Sequence, residues 1–280
     1  MHLPPYLIKR IPKQENIRKI RSILQDGTIH TVCEEAKCPN IGECFARQTC
    51  TFMILGNNCT RNCAFCGVDN GNPCPVDQDE PKKIAEAVKK LRLKYVVITS
   101  VTRDDLLDGG AEQFAKTVEN LRLNVAVSKI EILIPDFIES LNIVLDAKPY
   151  VLNHNIETVP RLYQKIRPQA KYERSLAILK KTKELAPDIY TKSGFMVGLG
   201  ETEAEVFAVL KDLFANQCEL VTIGQYLPPS KFHLQPERFV TPEEFEKYKT
   251  FGLELGFKQV AAGPFVRSSY HAEETVKGNK

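Results

Sequence analysis

The order of local patterns beyond residue 50 limits what this chain can fold into more than any other feature. Short β-branched runs alternate with segments of helical period: "TFMILG" (51–56), "DEPKKIAEAVKKLRL", "KYVVITS" (94–100) and "AEQFAKTVENLRL" (111–123). The alternation continues through "VSKIEILIP" (127–135), "DFIESLNIVLDA", "YVLNHN" (150–155), "YERSLAILKKTKELA" (172–186), "IYTKSGFMVGLG", "TEAEVFAVLKDLFANQ" and "LVTIGQYLPP". Repeated strand–helix alternation builds a parallel sheet with right-handed crossovers. About six such units are present, fewer than the eight that close a full barrel. The fold predicted is therefore α/β, a partial, open (β/α)6 barrel whose functional loops follow the C-terminal ends of the strands.

A length of 280 residues suits one barrel-sized domain. The pattern divides it into an N-terminal extension (1–50), the barrel (51–250) and a C-terminal extension (251–280). Neither extension is long enough to bury a core alone. A chain 43% hydrophobic and 26% charged reads as an ordinary globular protein. Its net charge of +3, with signs interspersed, is too mild for a nucleic-acid footprint. No apolar run approaches the roughly eighteen residues of a membrane span. The basic start "MHLPPYLIKRIPK" is broken by prolines and lacks an apolar core, so no secretory signal is expected and the location predicted is cytoplasmic.

Eight of the nine cysteines fall between Cys33 and Cys74; only Cys218 lies outside. Such clustering in a long chain without a signal peptide points to metal chemistry in a reducing compartment rather than to disulfides. Directly after the first expected strand, "CTRNCAFC" carries Cys59, Cys63 and Cys66 in a C-x3-C-x2-C spacing. A structural zinc site needs four ligands, and no partner motif follows. Three thiolates on one short loop suit a [4Fe–4S] cube with one iron left without a protein ligand. Phe65, just before Cys66, is placed to shield such a cluster from water. Upstream, "CEEAKCPNIGEC" carries Cys33, Cys38 and Cys44 in a C-x4-C-x5-C spacing. On spacing alone this second triplet is open between an iron–sulfur site, a zinc knuckle and three buried thiols.

"CTRNCAFC" resembles the signature of the radical S-adenosylmethionine (SAM) superfamily, including the aromatic before the last cysteine. The resemblance implies that Cys59, Cys63 and Cys66 hold a cluster whose open iron chelates SAM, cleaved to a 5′-deoxyadenosyl radical. The upstream triplet with "CPNIGEC" resembles the auxiliary-cluster motif of the lipoyl synthase family, in which a tail serine completes the ligand set. "VRSSYHA" (266–272) places that serine at Ser269. Further matching segments are "ITSVTRDDLLDGGA", "NHNIETV", "IRPQAKYERSL", "KSGFMVGLGET" and "YLPPSKFHL".

The family resemblance implies sulfur insertion at C6 and C8 of an octanoyl group carried on a lysine of a lipoyl domain. Two SAM molecules are consumed, and the auxiliary [4Fe–4S] cluster supplies the sulfur. Such C–H bonds are unactivated, so no catalytic acid, base or nucleophile is expected; the cofactor supplies the radical and the protein positions it. Partners implied are the E2 subunits of 2-oxoacid dehydrogenases, the glycine cleavage H protein, an electron donor such as flavodoxin or ferredoxin, and an iron–sulfur carrier protein. Nucleic acid and membrane are not among them.

For SAM itself, Asp108, Gly109 and Gly110 follow the second strand, where the superfamily contacts the methionyl amine; a plain turn before a helix at Ala111 is the other reading. Gly198 and Gly200 in "GLGE" end the fifth strand and allow close backbone approach to adenosine. Asn153 and Glu157 end the fourth strand, with His154 and Asn155 between them. Arg167 and Arg267 are bidentate partners for a carboxylate. Cys50, Cys74 and Cys218 are read as non-ligand thiols. Two other classes stay open: a two-cluster methylthiotransferase acting on tRNA, disfavoured by the near-neutral charge, and a zinc-binding interaction module.

Overall fold

The computed structural model describes residues 3–9, 14–24, 28–127 and 129–274. The basic stretch at 10–13, residue 128 of the third expected strand and residues 275–280 of the expected C-terminal extension lie outside the described residues. The chain divides into two compact units. The amino-terminal unit is Arg10–Asn62 with Cys66–Leu152; the carboxy-terminal unit is Met1–Lys9, Cys63–Phe65 and Asn153–Lys280.

The amino-terminal unit runs α1 (Gln14–Ile23), β1 (His30–Thr31), α2 (Val32–Glu35), α3 (Ile41–Ala46), β2 (Thr51–Ile54), α4 (Glu80–Leu91), β3 (Tyr95–Ser100), α5 (Ala111–Asn124), β4 (Lys129–Leu133) and α6 (Leu141–Asp146). β5 (Val151–Asn153) spans the boundary between the units. β2, β3 and β4 pair in parallel and in chain order, with Phe52 beside Ile98 and Ile98 beside Ile132. All three side chains are fully buried, which is why these strands read as near-continuous apolar runs rather than as alternating ones. α4 starts with Pro81 in its first turn and ends with Lys89 and Lys90 before a left-handed cap at Arg92, as helix-end chemistry favours. Its buried stripe of Ile84, Ala85, Val88 and Leu91 has helical spacing.

The carboxy-terminal unit contains α7 (Tyr163–Ile166), α8 (Tyr172–Leu185), β6 (Tyr190–Val197), α9 (Glu203–Ala215), β7 (Leu220–Gln225), α10 (Pro242–Leu255) and β8 (Gln259–Gly263). β6, β7 and β8 are again parallel and sequential, with Gly194 beside Thr222 and Thr222 beside Ala261. α9 buries Val206, Val209, Leu210 and Leu213 in one core with Val221 and Ile223 of β7 and Phe245 and Tyr248 of α10. α9 and α10 both begin with a capping box, Thr202 with Glu205 and Thr241 with Glu244. Each box satisfies two amides that the first helical turn would otherwise leave open. Thr241→Ala is expected to cost about 1 kcal/mol, read as a lower urea midpoint with an unchanged slope.

Every strand expected from sequence is present, but two strands were not expected. The alternation was predicted to stop near residue 250, yet α10 crosses that position and β8 adds another parallel strand. The reason is local: "QVAAG" is too short and too rich in small residues to signal a strand, and β7 supplies its ladder. β1, antiparallel to β2 through His30 and Met53, lies in the segment expected to be an extension without strands. Among the described residues, no helix is long and apolar enough to cross a membrane.

Candidate active site

The chain leaves β2 through Leu55 and Gly56, both at positive φ, and enters the three-cysteine loop. Glu80 accepts from the Leu55 amide through both carboxylate oxygens (3.1 and 3.0 Å), anchoring the turn to the start of α4. Within the amino-terminal unit the Cys59 segment is held from several sides. Thr60 donates to the Thr102 carbonyl through its amide and hydroxyl (3.1 and 3.0 Å). Arg61 makes a bidentate pair with Asp104 (2.8 and 2.7 Å) and a second ion pair with Asp136 (2.6 Å). Burial opposes the Arg61 charge, but these two carboxylates outweigh it and hold the guanidinium ionised. The Cys59 sulfur accepts backbone N–H groups from Arg61 and Thr102, both at 3.4 Å. Amide donors of this kind stabilise a thiolate and tune the potential of a cluster bound to it. In the carboxy-terminal unit the Ala64 amide donates to the Ile166 carbonyl (2.9 Å), and Phe65 packs against the core of that unit.

Cys59, Cys63 and Cys66 are partly exposed. No group of three or more His, Cys, Asp or Glu side chains among the described residues is drawn tight enough for a single ion. A cube makes a different demand, since each thiolate binds a different iron. Three loop thiolates, with one sulfur already holding two amide donors, fit such a cluster.

The upstream triplet gathers in the amino-terminal unit. Cys33 is buried in α2 and its sulfur accepts the Thr51 amide. The Cys38 amide donates to the Cys33 carbonyl (3.0 Å), and Thr49 donates twice to the Cys44 carbonyl (2.9 and 3.1 Å). Burial pushes the Cys33 thiol well up, and Cys50, Cys38 and Cys44 push it further. Cys50 therefore sits with the triplet. Its own thiol is pushed up to about 12 by burial and then by Cys44 and Glu34. The sequence reading set Cys50 aside; its position one residue before β2 was the available signal. Cys74 is exposed, and buried Cys218 donates to the Leu220 carbonyl (3.3 Å).

At the strand ends of the carboxy-terminal unit, Asn153 is fully buried and His154 bonds Ser175 (3.0 Å). Glu157 stands at φ 65°, an unusual conformation outside glycine that tends to mark functional positions. Burial raises its carboxyl, against the pull of Arg167, Asn155 and Arg267. Arg167 donates to the Asn155 and Ile156 carbonyls (3.0 and 3.3 Å), and its Nε is buried without a hydrogen-bond partner among the described residues. An ionisable carboxyl beside a partly satisfied guanidinium fits a ligand bearing both an amine and a carboxylate, as the methionyl end of SAM does. Ser269 lies in the turns of the tail, where its carbonyl accepts from Ala272 (3.4 Å).

The two glycine motifs are explained first by packing. Gly109 and Gly110 have φ of 63° and 94°. A Cβ on Gly109 would press Phe137 Cβ at 2.8 Å, and one on Gly110 would overlap Leu55. Asp108 caps α5 by accepting from the Gly110 and Glu112 amides (3.0 and 2.8 Å). At Gly198 the close approach is to Gln225 and the Arg238 carbonyl, while Glu201 closes the turn on the Gly198 and Leu199 amides (2.6 and 2.8 Å). Gly200, at φ 103°, accepts through its carbonyl from Arg161 (2.8 Å). Gly110→Ala is expected to lose about 2–4 kcal/mol, combining left-handed strain with overpacking against Leu55, measurable by urea unfolding.

Sequence reasoning missed Gly194 and Gly224. A Cβ on Gly194 would overlap Thr222 Oγ1 and then meet Asn155 Oδ1 and Ser268 Oγ, each at 3.0 Å, and one on Gly224 would overlap the Val266 carbonyl. The usable signal was a glycine inside a strand, which marks close approach of another segment.

A family model described as the radical SAM superfamily matches residues 53–213. The FeFe-hydrogenase maturase HydG from Carboxydothermus hydrogenoformans shares the fold at a TM-score of 0.59 and 14% identity, over 86% of this chain and 63% of its own. Methylornithine synthase aligns at a TM-score of 0.57 and 16% identity, over 90% of this chain and 71% of its own. Fold and cysteine loop thus define a radical SAM enzyme, a class that works with a [4Fe–4S] cluster and SAM, and the α/β architecture is the one expected from sequence. A second family model, the N-terminal domain of lipoyl synthase, matches residues 1–38. The lipoyl synthase of Caldanaerobacter subterraneus is 55% identical over 273 residues, 96% of this chain and 95% of its own length. That of Alcanivorax borkumensis is 52% identical over 279 residues, 98% of this chain and 86% of its own. The chain belongs to the lipoyl synthase family, radical SAM enzymes that insert sulfur. This likeness removes the methylthiotransferase and zinc-module alternatives.

Proposed function

We propose that this chain converts octanoyl-lysine on lipoyl carrier domains to lipoyl-lysine, adding sulfur at C6 and C8. Likeness over 96% of the chain to a lipoyl synthase carries the reading. Cys59, Cys63 and Cys66 hold the radical SAM cluster, which when bound supplies the electron that cleaves SAM. The Arg61–Asp104–Asp136 network keeps the Cys59 segment in place, and Phe65, next to Cys66 in sequence, would shield a bound cluster from water. Glu157 and Arg167 bind the methionyl end, with Asn153, Asp108, Gly109, Gly110, Gly198 and Gly200 shaping the surrounding backbone. Cys33, Cys38, Cys44 and Ser269 hold an auxiliary [4Fe–4S] cluster that serves as the sulfur source. A serine oxygen would be a harder iron ligand than a thiolate and a more labile one, which would suit a cluster that serves as a sulfur source.

Carriers of the E2 and H-protein type, a flavodoxin- or ferredoxin-type electron donor and an iron–sulfur carrier complete the set of partners, in the cytoplasm. Anaerobically prepared protein is expected to hold about eight irons, four per cluster. Incubated with an octanoylated lipoyl-domain peptide, SAM and a reductant, it is expected to add two sulfur atoms to the peptide, read by mass spectrometry. An unmodified peptide alongside full iron content would overturn the substrate assignment.

A further inference from the structure

The tail segment carrying "RSSY" is seated by a device that the family motif does not specify. In the carboxy-terminal unit, Ser268 Oγ donates to Asn155 Oδ1 at 2.9 Å, and Asn155 Nδ2 lies 2.7 Å from the same oxygen. Nδ2 also donates to Glu157 Oε1 at 2.9 Å, so Glu157 fixes the plane of the Asn155 amide. Residue 194 beneath this contact is glycine: a Cβ there would overlap Thr222 Oγ1 of β7 and stand 3.0 Å from both Asn155 Oδ1 and Ser268 Oγ. At Gly224 the Val266 carbonyl occupies the place a Cβ would take. Beyond the contact the tail folds on itself, with Val266 N bonded to Gly263 O (3.1 Å) and Tyr270 N to Arg267 O (3.0 Å). From the other side the Lys9 ammonium lies over the Phe265 ring at 4.6 Å and the Tyr270 ring at 5.3 Å, a favourable cation–π arrangement.

We propose that Asn155 is the positioning residue of the tail: by holding Ser268 it sets where the adjacent Ser269 hydroxyl stands. This rests on the reading of Ser269 as a cluster ligand. Ser268 is then the latch and Ser269 the working group, which gives each serine of the pair a separate task. A single neutral hydrogen bond contributes a modest bias. Loss of the latch therefore lowers the fraction of time Ser269 is in place without preventing the clusters from assembling.

The test compares Ser268→Ala, Ser268→Thr, Asn155→Ala and Ser269→Ala, each as anaerobically reconstituted full-length protein. Three quantities are read: iron content, thiolated product formed per 5′-deoxyadenosine in a single turnover, and amide hydrogen exchange across residues 264–272 in the cluster-free protein. Ser268→Ala is expected to keep its iron and its rate of 5′-deoxyadenosine formation while the product ratio falls roughly five- to tenfold and the tail amides exchange faster. Asn155→Ala is expected to show the same fall in ratio and the same exchange. Ser268→Thr, which keeps the hydroxyl, is expected to restore both. An unchanged ratio in Ser268→Ala and Asn155→Ala, with loss only in Ser269→Ala, would overturn the latch and leave the ligand reading standing. Failure of Ser268→Thr to restore the ratio would also overturn it. Full iron and full product in Ser269→Ala would instead remove the ligand reading itself. If Asn155→Ala does not fold, the two Ser268 variants decide the matter alone.

Discussion

Replacing Cys59, Cys63 or Cys66 by alanine is expected to abolish formation of 5′-deoxyadenosine, with a loss well beyond a hundredfold. Even the outer partners of a metal ligand are commonly worth 10–100-fold, and in the proposed function these residues are the ligands themselves. A cube held by three thiolates has no spare protein ligand, so losing one leaves two irons without one. Cys59 is the most instructive position, because its sulfur already accepts two amides at 3.4 Å. Those amides are left facing a methyl group in Cys59→Ala, yet the fold is expected to survive because Arg61 and Thr60 still pin the segment. The assay is anaerobic SAM cleavage followed by chromatography of the nucleoside, with circular dichroism confirming the fold. Nucleoside formation at the parent rate in any of the three variants would sink the assignment of this loop.

Alanine at Cys33, Cys38 or Cys44 is expected to give the complementary result. SAM is still cleaved, about four irons remain per chain, and no thiolated peptide appears. The proposed function divides the labour between the two triplets, one serving radical generation and the other the supply of sulfur. Cys50 adjoins the triplet, its thiol pushed up to about 12 by burial and then by Cys44 and Glu34. Normal sulfur insertion by a Cys38→Ala variant would show that the upstream triplet is not the donor.

Most of the fold was legible because its cues are local. The β-branched run at 94–100 and the apolar segment at 51–56 are buried parallel strands, and a run of that kind has few alternatives. The helix beginning at Ala111 was readable from the double glycine before it. What was not legible depends on partners far away in sequence. β8 is a strand because β7 lies beside it, while its own residues are mostly small. Asn155 and Ser268 are 113 residues apart, and neither carries a local sign of the other. Gly194 and Gly224 lie inside strands where glycine is usually a weakness, and their value shows only once the tail is laid across them. The cysteine spacings were visible at once because each triplet lies on one short segment of the chain.

The division of the chain also bears on the order in which the molecule is made. Synthesis runs from the N-terminus, and early-emerging parts fold as units while the rest is still on the ribosome. All residues of the amino-terminal unit have been translated once Leu152 has emerged, so Cys33, Cys38, Cys44 and Cys50 can gather at that stage. The carboxy-terminal unit has to wait, because Lys9 meets Phe265 and Tyr270, a closure across nearly the whole chain. The thiols of the amino-terminal unit are thus synthesised more than a hundred residues before Ser268 and Ser269.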